Sequence, residues 1–295
     1  MRKLKYSYFI IIVFITNMSL AQLSDLARID FTILPSGDSD IEYNRIRGLF
    51  NVPIKLKKES TYLFLGVDYS KINVTMRDNP AFDKEGFDDF QLLDFNIAYT
   101  TLLKNDWRLG VRLTPGFSSN LTADDLSIDD VVISGDVIFI KDKKKSKDVT
   151  KPWRLIIGAS FNGNRGFPFP LPFISYYRKF DEKWSYNVGV PKTNLQYHIS
   201  EQHRIKLYAE LDGFTSNIQT GVLVNNSEVA ESINMSLIVG GLQYEYHITD
   251  HLQFYARTAY ILSNSVNLRD DDRDDIIELD NSNELYLRTG IKFKI

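Results

Sequence analysis

Apolar and polar residues alternate along most of this chain, in segments separated by turn residues. In the segment 45–56, Ile46 and Phe50 fall on one face of an extended strand and Arg47 and Asn51 on the other, because successive side chains of a strand point to opposite faces. Similar alternation recurs in 107–113, 204–212, 252–262 and 285–295. Several of these segments are longer than the five or so residues usual in soluble sheets. The pattern predicts an all-β protein whose strands have one face in lipid and one in a lumen.

The lengths of the connections between these segments also alternate. Short turns are expected at 57–60, 104–106, 181–183, 201–203 and 249–251, and long loops at 36–42, 76–88, 118–130, 162–168, 215–231 and 263–284. The basic segment 141–151 is the exception, and we interpret it as a solvated turn. Short periplasmic turns and longer outer loops are typical of outer-membrane barrels. The sequence therefore predicts a transmembrane antiparallel up-and-down β-barrel.

The segment from Trp184 to Ser200 decides the number of strands. Two short strands that turn near Pro191-Lys192-Thr193 keep every later long loop on the outer side and give 14 strands, whereas one long strand would switch those loops to the other side. About seven residues is short for a crossing that usually needs about 9–11. We expect 14 strands, with 12 as the alternative. Two such short strands would make the barrel wall shorter at this point. The shorter wall could be a lateral opening, or it could be a strand irregularity caused by Gly189 and Pro191.

The two ends of the sequence carry export and assembly features. A basic start, the apolar run from Phe9 to Ile15 and the small residues Ser19 and Ala21 predict a signal peptide over residues 1–21, which leaves 22–295 as the barrel domain. The last strand has a polar residue, a glycine and two apolar residues at the spacing that barrel-assembly machinery reads. These residues are Arg288, Gly290, Phe293 and Ile295. We therefore predict a protein of the bacterial outer membrane, in contact with its lipid and lipopolysaccharide.

The charge and cysteine content narrow the classes of function. Residues 1–21 hold three of the 35 basic residues and no acidic ones, so the rest of the chain carries 38 acidic side chains against 32 basic ones. This mildly acidic balance argues against a nucleic-acid partner. The chain has no cysteine, so packing and hydrogen bonds must stabilise an exported protein without disulfides. Nothing in the sequence marks an oligomeric state.

Charged residues on the alternating strands are expected to face the lumen, because charge on the lipid face is costly. The candidate lumen residues are Arg28, Arg45, Arg47, Arg108, Arg112, Arg154, Arg257 and Arg288, with Asp30, Glu210 and Asp212. Two interpretations stay open. Opposite charges could brace a blocked lumen, or a basic ring could favour anions in an aqueous pore. Trp107, Trp153 and Trp184 each follow an inner turn, where an interfacial aromatic girdle belongs.

An acidic run in the last long loop is a weak candidate for a metal site. Its carboxylates are Asp270, Asp271, Asp272, Asp274 and Asp275. Carboxylate oxygens at this density could hold Ca²⁺ or bridge to lipopolysaccharide through divalent cations. The spacing lacks the ordered loop and turn glycine of a calcium motif, so we favour a solvated acidic loop.

Catalytic chemistry finds little support in the sequence. The four histidines, His198, His203, His247 and His251, all fall at or beside predicted inner turns. A nucleophile assisted by histidine toward the outer rim is therefore disfavoured. No phosphate loop, dinucleotide fingerprint or Cys/His metal pattern occurs. We expect no enzyme activity and no cofactor.

Several stretches resemble a known family. They are the opening LARIDFTILP, the run from Phe167 to Tyr177 (FPFPLPFISYY), Trp184 to Leu195 (WSYNVGVPKTNL), Leu211-Asp212-Gly213-Phe214 and the ending LYLRTGIKFKI. Together they resemble the outer-membrane β-barrel proteins of Bacteroidetes in domain-of-unknown-function family 6268. The resemblance covers nearly all of residues 22–295 and implies the barrel and its location. It implies no activity, ligand or catalytic residue.

These features lead to two hypotheses for function. A charged lumen in a mid-sized barrel favours a porin-like or transport channel for small solutes. The alternative is a non-conducting structural or binding barrel whose acidic outer loops engage cations, surface glycan or a partner.

Overall fold

A computed structural model describes residues 25–35, 41–77, 82–84, 86–87, 89–122, 126–144, 149–167, 169–224, 228–280, 282 and 284–294. Its strands are β1 (Ala27–Leu34), β2 (Ile41–Lys55), β3 (Tyr62–Met76), β4 (Phe90–Leu102), β5 (Trp107–Ser119), β6 (Val131–Asp142), β7 (Trp153–Phe161), β8 (Leu171–Lys179), β9 (Trp184–Val190), β10 (Lys192–His198), β11 (His203–Val224), β12 (Glu228–His247), β13 (Leu252–Arg269), β14 (Asp275–Asp280) and β15 (Leu285–Phe293). Two 3₁₀ turns cover Lys104–Asp106 and Ile128–Asp130.

Fourteen of these strands form the wall of a closed antiparallel barrel. Consecutive wall strands pair with one another, and β1 closes the barrel on β15, with Ala27 opposite Phe293. The short β14 pairs with the far part of β13, which itself pairs with β12 and β15. The expectation of 14 strands is confirmed. The β9–β10 turn is tighter than predicted, because Lys192 and Thr193 already belong to β10.

Two predicted long loops are largely strand. The expected loop 215–231 is mostly the extension of β11 and β12 into a hairpin, and the expected loop 263–284 contains the end of β13 and all of β14. The hairpins form because their apolar residues have a surface to pack against. Ile218 and Val222 on β11 and Val266 on β13 are all buried. These segments were therefore assigned wrongly as loops.

We call the end of the barrel with the short turns the turn end and the opposite end the loop end. The candidate signal peptide, residues 1–21, lies outside the described residues. Within the described part of the chain, no helix is long and apolar enough to cross a bilayer.

The outer surface of the wall is apolar. Ile29, Leu113, Val188 and Leu207, on four different strands, are each more than half exposed. Exposed apolar side chains spread around a wall form a surface that soluble proteins avoid, and an outward apolar band is typical of transmembrane barrels. The three tryptophans each begin a strand at the turn end, as expected, because β5, β7 and β9 start at Trp107, Trp153 and Trp184.

The barrel is pinched toward the loop end, because β11 leans across it to meet β5. Asn217 pairs in parallel with Ser119, and the backbone N–H of Asn120 donates to the carbonyl of Asn217 at 3.3 Å. This contact divides the lumen into two parts. We call the part walled by β1–β5, β11–β13 and β15 the packed lobe, and the part walled by β5–β11 the hollow lobe.

An apolar cluster fills the loop-end half of the packed lobe. Tyr43 and Phe90 lie across the lumen from Phe214, with ring centroids 5.8 and 5.7 Å from that of Phe214. The buried members of the cluster are Leu34, Ile41, Tyr43, Ile72, Val74, Met76, Phe87, Phe90, Leu92, Tyr208, Phe214, Ile218, Val222, Val224, Ala230, Ile233, Met235, Leu237, Val239, Ala259, Ile261, Val266, Leu268 and Tyr286. Side chains from opposite walls are thus in contact here, and water is excluded.

Candidate functional site in the lumen

Between the apolar cluster and the turn end lies a layer of charged side chains, which we call the ionic layer. Alternation along each strand directs these side chains inward, since their neighbours in sequence are the exposed apolar residues of the outer wall. The layer consists of Arg28 and Asp30 on β1, Arg45 and Arg47 on β2, Asp68 on β3, Glu210 and Asp212 on β11, Arg257 on β13 and Arg288 on β15.

Asp212 joins strands that are distant in the wall. It pairs with Arg288, and the hydroxyl of Tyr286 donates to its Oδ2 at 2.6 Å. Arg45, on the far side of the lumen, lies 4.0 Å from its other oxygen. Because β2 and β11 are not neighbours in the wall, this group braces the barrel across its lumen.

Glu210 is the second acceptor of the layer. Arg257 donates to its Oε1 at 3.0 Å, Lys192 pairs with its Oε2, and Arg288 lies 3.9 Å away. On the other wall, Arg28 lies 2.9 Å from Asp30 and Arg47 forms a double hydrogen bond to Asp68. The ionic layer is therefore a set of paired charges, as in the first of the two interpretations left open by the sequence.

The loop between β7 and β8 folds into the lumen. Asn164 donates to Asp94 at 2.9 Å, and Arg165 donates to Asp68 at 3.2 Å, so the loop reaches β3 and β4 on the far wall. The carbonyl of Gly166 accepts hydrogen bonds from Asn234 and Ser236 on β12. Gly166 has a φ of +73°, and a Cβ there would collide with the carbonyl of Met235. Glycine is needed at this position for both reasons. We call residues 162–167 the inserted loop.

The remaining candidate arginines lie on the hollow lobe. Arg112 forms a double hydrogen bond to Asp136. Arg108 donates to the backbone carbonyl of Ser60 at 2.8 Å, near the turn end. Arg154 is the second residue of β7 and lies opposite Tyr177 of β8. Five of the eight candidate arginines thus belong to the ionic layer, Arg112 and Arg154 lie along the hollow lobe, and Arg108 contacts the β2–β3 turn.

The hollow lobe differs from the packed lobe in solvent access. The side chain of Arg112 is 43% exposed, whereas those of Arg45 and Arg288 are 5% and 8% exposed. Inward residues of β7–β10, such as Ser160, Ser175 and Asn187, are also partly exposed. Ser175 donates to Asn187 at 2.6 Å across β8 and β9. Other inward residues of the hollow lobe, Ile140, Ile156 and Ser185, are buried, so this side of the barrel is polar and accessible to solvent in part.

Several residues of the lumen were not among the sequence candidates. Asp68 and Asp94 could have been found, because the alternation of β3 and β4 places them on the face that carries the other polar residues. Arg165 could not, because it lies in a segment interpreted as an outer loop. Its local sequence, rich in asparagine and glycine, indicates a turn but not an inward fold.

The acidic run at 270–275 does not converge on one point. Asp275 binds Arg269 and Asn267, and Oδ1 of Asp270 accepts the backbone N–H of Asp274 at 2.9 Å. Among the described residues, no group of three or more His, Cys, Asp or Glu side chains is placed to hold a metal ion. The candidate site at Asp270, Asp271, Asp272, Asp274 and Asp275 is therefore not assembled, since its carboxylates serve the β13–β14 turn.

The candidate assembly residues lie along β15. Arg288 and Gly290 face the lumen, and Gly290 allows Asp30 and the Tyr255 hydroxyl to approach within 3 Å of where a Cβ would lie. Phe293 lies on the outer face, 37% exposed and beside His251. Ile295 is outside the described residues.

One histidine contacts a potential nucleophile. Nε2 of His198 lies 3.0 Å from the hydroxyl of buried Ser185, and the side-chain amide of Gln196 is its other side-chain hydrogen-bond neighbour in the described structure. In a catalytic triad the orienting group binds the ring nitrogen opposite the nucleophile. Here the Gln196 amide lies nearer to Nε2 (2.9 Å), the nitrogen that Ser185 contacts, than to Nδ1 (3.4 Å). The pair links β9 to β10.

Comparison with known proteins gives a family and a fold. The model of a family described as a domain of unknown function (DUF6268) matches residues 36–294. No curated protein matches the chain. Similar solved structures include the KdgM porin in complex with disordered oligogalacturonate (7% identity, 91% of this chain and 99% of that chain, TM-score 0.37). Others are the toluene transporter TodX of Pseudomonas putida (8%, 90% and 88%, 0.34) and LpxR from Salmonella typhimurium (9%, 91% and 100%, 0.39). At these values the likeness concerns the barrel fold and carries no argument about function.

Proposed function

The chain belongs to the DUF6268 family, and from the geometry of its lumen we propose that it is an outer-membrane barrel through which small polar solutes pass along the hollow lobe. In this proposal, residues 1–21 direct export and barrel-assembly machinery reads the C-terminal strand. The turn end then faces the periplasm, since short turns lie on that side of outer-membrane barrels.

The observation that carries the proposal is the unequal filling of the two lobes. The packed lobe is closed by the apolar cluster and the ionic layer, so solutes have no route there. Beside it, several inward side chains remain partly exposed, among them Arg112 on β5, Ser175 on β8 and Asn187 on β9. A polar space along one wall of a transmembrane barrel is suited to the passage of hydrated solutes.

The lining of the hollow lobe indicates the class of solute. The side chain of Arg112 is 43% exposed, whereas that of its partner Asp136 is only 12% exposed. Lys192 and Arg165 also contribute partly exposed cations. The water-accessible charge is therefore mainly positive, and we expect a weak preference for anions over cations.

Conductance in a planar lipid bilayer tests this function. The wild-type barrel should carry a steady ohmic current. Ser175→Trp places an indole in the hollow lobe and should reduce that current roughly by half or more. Ile174→Trp is the matched control, because Ile174 is the neighbouring residue on the outer face and is 46% exposed.

Two results would contradict the proposal. One is a wild-type barrel that is inserted, as shown by its changed gel mobility on boiling, but carries no current. The other is an equal current through the Ser175→Trp and Ile174→Trp variants, which would mean that solutes do not pass along β8.

A second function is favoured by the inserted loop and the apolar cluster, which together block most of the cross-section. A barrel that binds a surface glycan, cation or partner through its outer loops needs no open lumen. A silent but inserted wild-type barrel would support this alternative.

A further inference from the structure

Four cationic side chains gather at the turn end of the packed lobe, below the ionic layer. They are Arg204 and Lys206 on β11, Lys292 on β15 and Lys294 directly after β15. Strand alternation directs all four into the lumen. Lys206 and Lys294 are close enough to interact electrostatically, and Glu245 on β12 interacts with Lys206, Lys292 and Lys294. We call this group the basic recess.

The carboxylate in the middle of the recess does not neutralise it. Oε1 of Glu245 accepts a hydrogen bond from Lys206 at 2.6 Å and another from Gln243. Lys294 donates to the amide oxygen of Gln253 at 2.6 Å, a neutral partner. Four cations therefore share Glu245 as their central carboxylate. Asp25 also interacts electrostatically with Lys292, but it forms an ion pair with Arg28.

Among the described residues, only Lys206 has a carboxylate at salt-bridge distance, and the other three cations lack one. The ammonium of Lys292 lies 4.6 Å from the ring centroid of Tyr255. For Arg204, the described structure contains no ion pair. Half-buried positive charges that are close together and unpaired repel one another. An anion from solution would relieve that repulsion.

Buried hydrogen-bond donors in the recess also lack partners. Nε2 of Gln253, a residue only 1% exposed, donates to no acceptor in the described structure, and neither does Nε of Arg204. Gln253 lies opposite both Lys292 on β15 and His247 on β12, and His247 in turn is in electrostatic range of Arg204. Buried donors are nearly always satisfied. Their presence beside unpaired cations indicates a missing acceptor.

From these contacts we infer that the basic recess binds a small multivalent oxyanion of the phosphate type. Lys292 and Arg204 would supply the charge, and the Gln253 amide and the Arg204 Nε–H would donate to its oxygens. The anion comes from the aqueous space at the turn end, because the recess opens to the lumen and not to the lipid face. The inference goes beyond the proposed passage of solutes and does not require the barrel to conduct.

Isothermal titration of the detergent-solubilised full-length barrel with inorganic phosphate tests the inference. The wild type should bind one phosphate. Lys292→Gln should weaken binding about tenfold, the usual effect of losing one charge-assisted hydrogen bond. Lys57→Gln is the matched control, because Lys57 is an exposed lysine of the β2–β3 turn and its loss removes the same charge elsewhere.

The variant Glu245→Gln should have the opposite effect on phosphate binding. It removes the negative charge from the centre of the recess while keeping the shape of the side chain. Phosphate should therefore bind more tightly, which a purely structural role for Glu245 would not produce.

Three results would overturn the inference. They are no binding of phosphate by the wild type, equal weakening by Lys57→Gln and Lys292→Gln, or binding of short-chain phosphatidic acid without binding of phosphate. The last would assign the recess to a lipid headgroup. A barrel that is silent in the bilayer but binds phosphate would leave the inference intact and contradict only the proposed passage.

Discussion

At the scale of single residues, the ionic layer consists of buried charges that pair with one another, in part across the lumen. Asp68 is 5% exposed and lies between Arg47 and Arg165. It binds the far wall to the inserted loop. A buried group of paired charges adds little stability compared with apolar side chains of the same volume. Removing one charge, however, leaves its partners buried without a counter-charge, which is strongly destabilising. The carboxylate at position 68 is therefore sensitive to substitution in a way that exposed carboxylates are not.

We expect Asp68→Asn to lower the free energy of unfolding by about 3 kcal/mol, since the buried guanidinium of Arg47 loses its counter-charge. The 39% exposed Arg165 loses its ion pair as well. Asp89→Asn is the control. Its pair with Lys71 is 45% and 43% exposed, and surface pairs contribute less than about 1 kcal/mol. Denaturant unfolding of the two refolded variants measures the difference, and equal losses would refute this account of Asp68.

At the scale of elements, the lean of β11 onto β5 divides the lumen. Asp130, directly before β6, holds this contact, because Asn217 and Gln219 of β11 donate to its two oxygens at 2.7 and 2.6 Å. Burial raises the pKa of Asp130, but these hydrogen bonds and those from Ser119 and the Ser127 backbone outweigh it. The pKa therefore lies below the usual 3.8. The contribution of Asp130 to stability is complete above pH 3.8 and is lost as the pH falls through the lower, folded-state pKa.

Asp130→Asn should accelerate amide hydrogen exchange in the segment 214–222 about tenfold at pH 7, because two charge-assisted hydrogen bonds become weaker or are lost. Asp129→Asn should leave exchange unchanged, since Asp129 is exposed and its carboxylate accepts a hydrogen bond from the nearby Ser127 hydroxyl. Asp130 stays charged at both pH 5 and pH 7. In the wild type, the amides of residues 214–222 should therefore be equally protected from hydrogen exchange at the two pH values, after correction for intrinsic exchange rates. A loss of protection in the wild type at pH 5 would contradict the assigned charge state.

At the scale of the whole molecule, a barrel wide enough for an open pore is divided by contacts within its own wall. Contacts such as Asn217 with Ser119 close one lobe and leave the other accessible. If solutes pass as proposed, function and stability depend on different lobes. The packed lobe would hold the fold together, and the hollow lobe would accept solute.

A disulfide across the pinch tests this division. The chain has no cysteine, and residues 119 and 217 are direct partners, so their Cα separation suits a disulfide. Ser119→Cys with Asn217→Cys should cross-link on oxidation, and the bilayer current should be the same before and after reduction. A current that rises on reduction would show that the lobes separate during passage. Ser119→Cys alone controls for the substitution.

The sequence predicts the wall of this barrel well and its interior poorly. Alternation with a period of two assigns Arg45 and Arg47 to one face whatever the strand neighbours are, and connection lengths give the number of strands. Contacts across the lumen have no such local pattern. Tyr43 meets Phe214 only because β11 bends inward, and the bend depends on packing between distant segments. For the same reason, neither the inserted loop nor the extended hairpins could be assigned from the sequence.

The short strands β9 and β10 have a consequence for the surrounding lipid. Each has seven residues, which at about 3.3 Å per residue and a tilt of about 45° spans roughly 16 Å of the membrane normal. Outer-membrane barrels usually present an apolar band of about 25 Å. Acyl chains beside this flank must therefore compress or splay to match it, at a cost that rises with the mismatch. We expect the bilayer to be thinnest on this one side of the molecule, so that the barrel sits asymmetrically among its lipids and prefers neighbours whose own flanks are equally short.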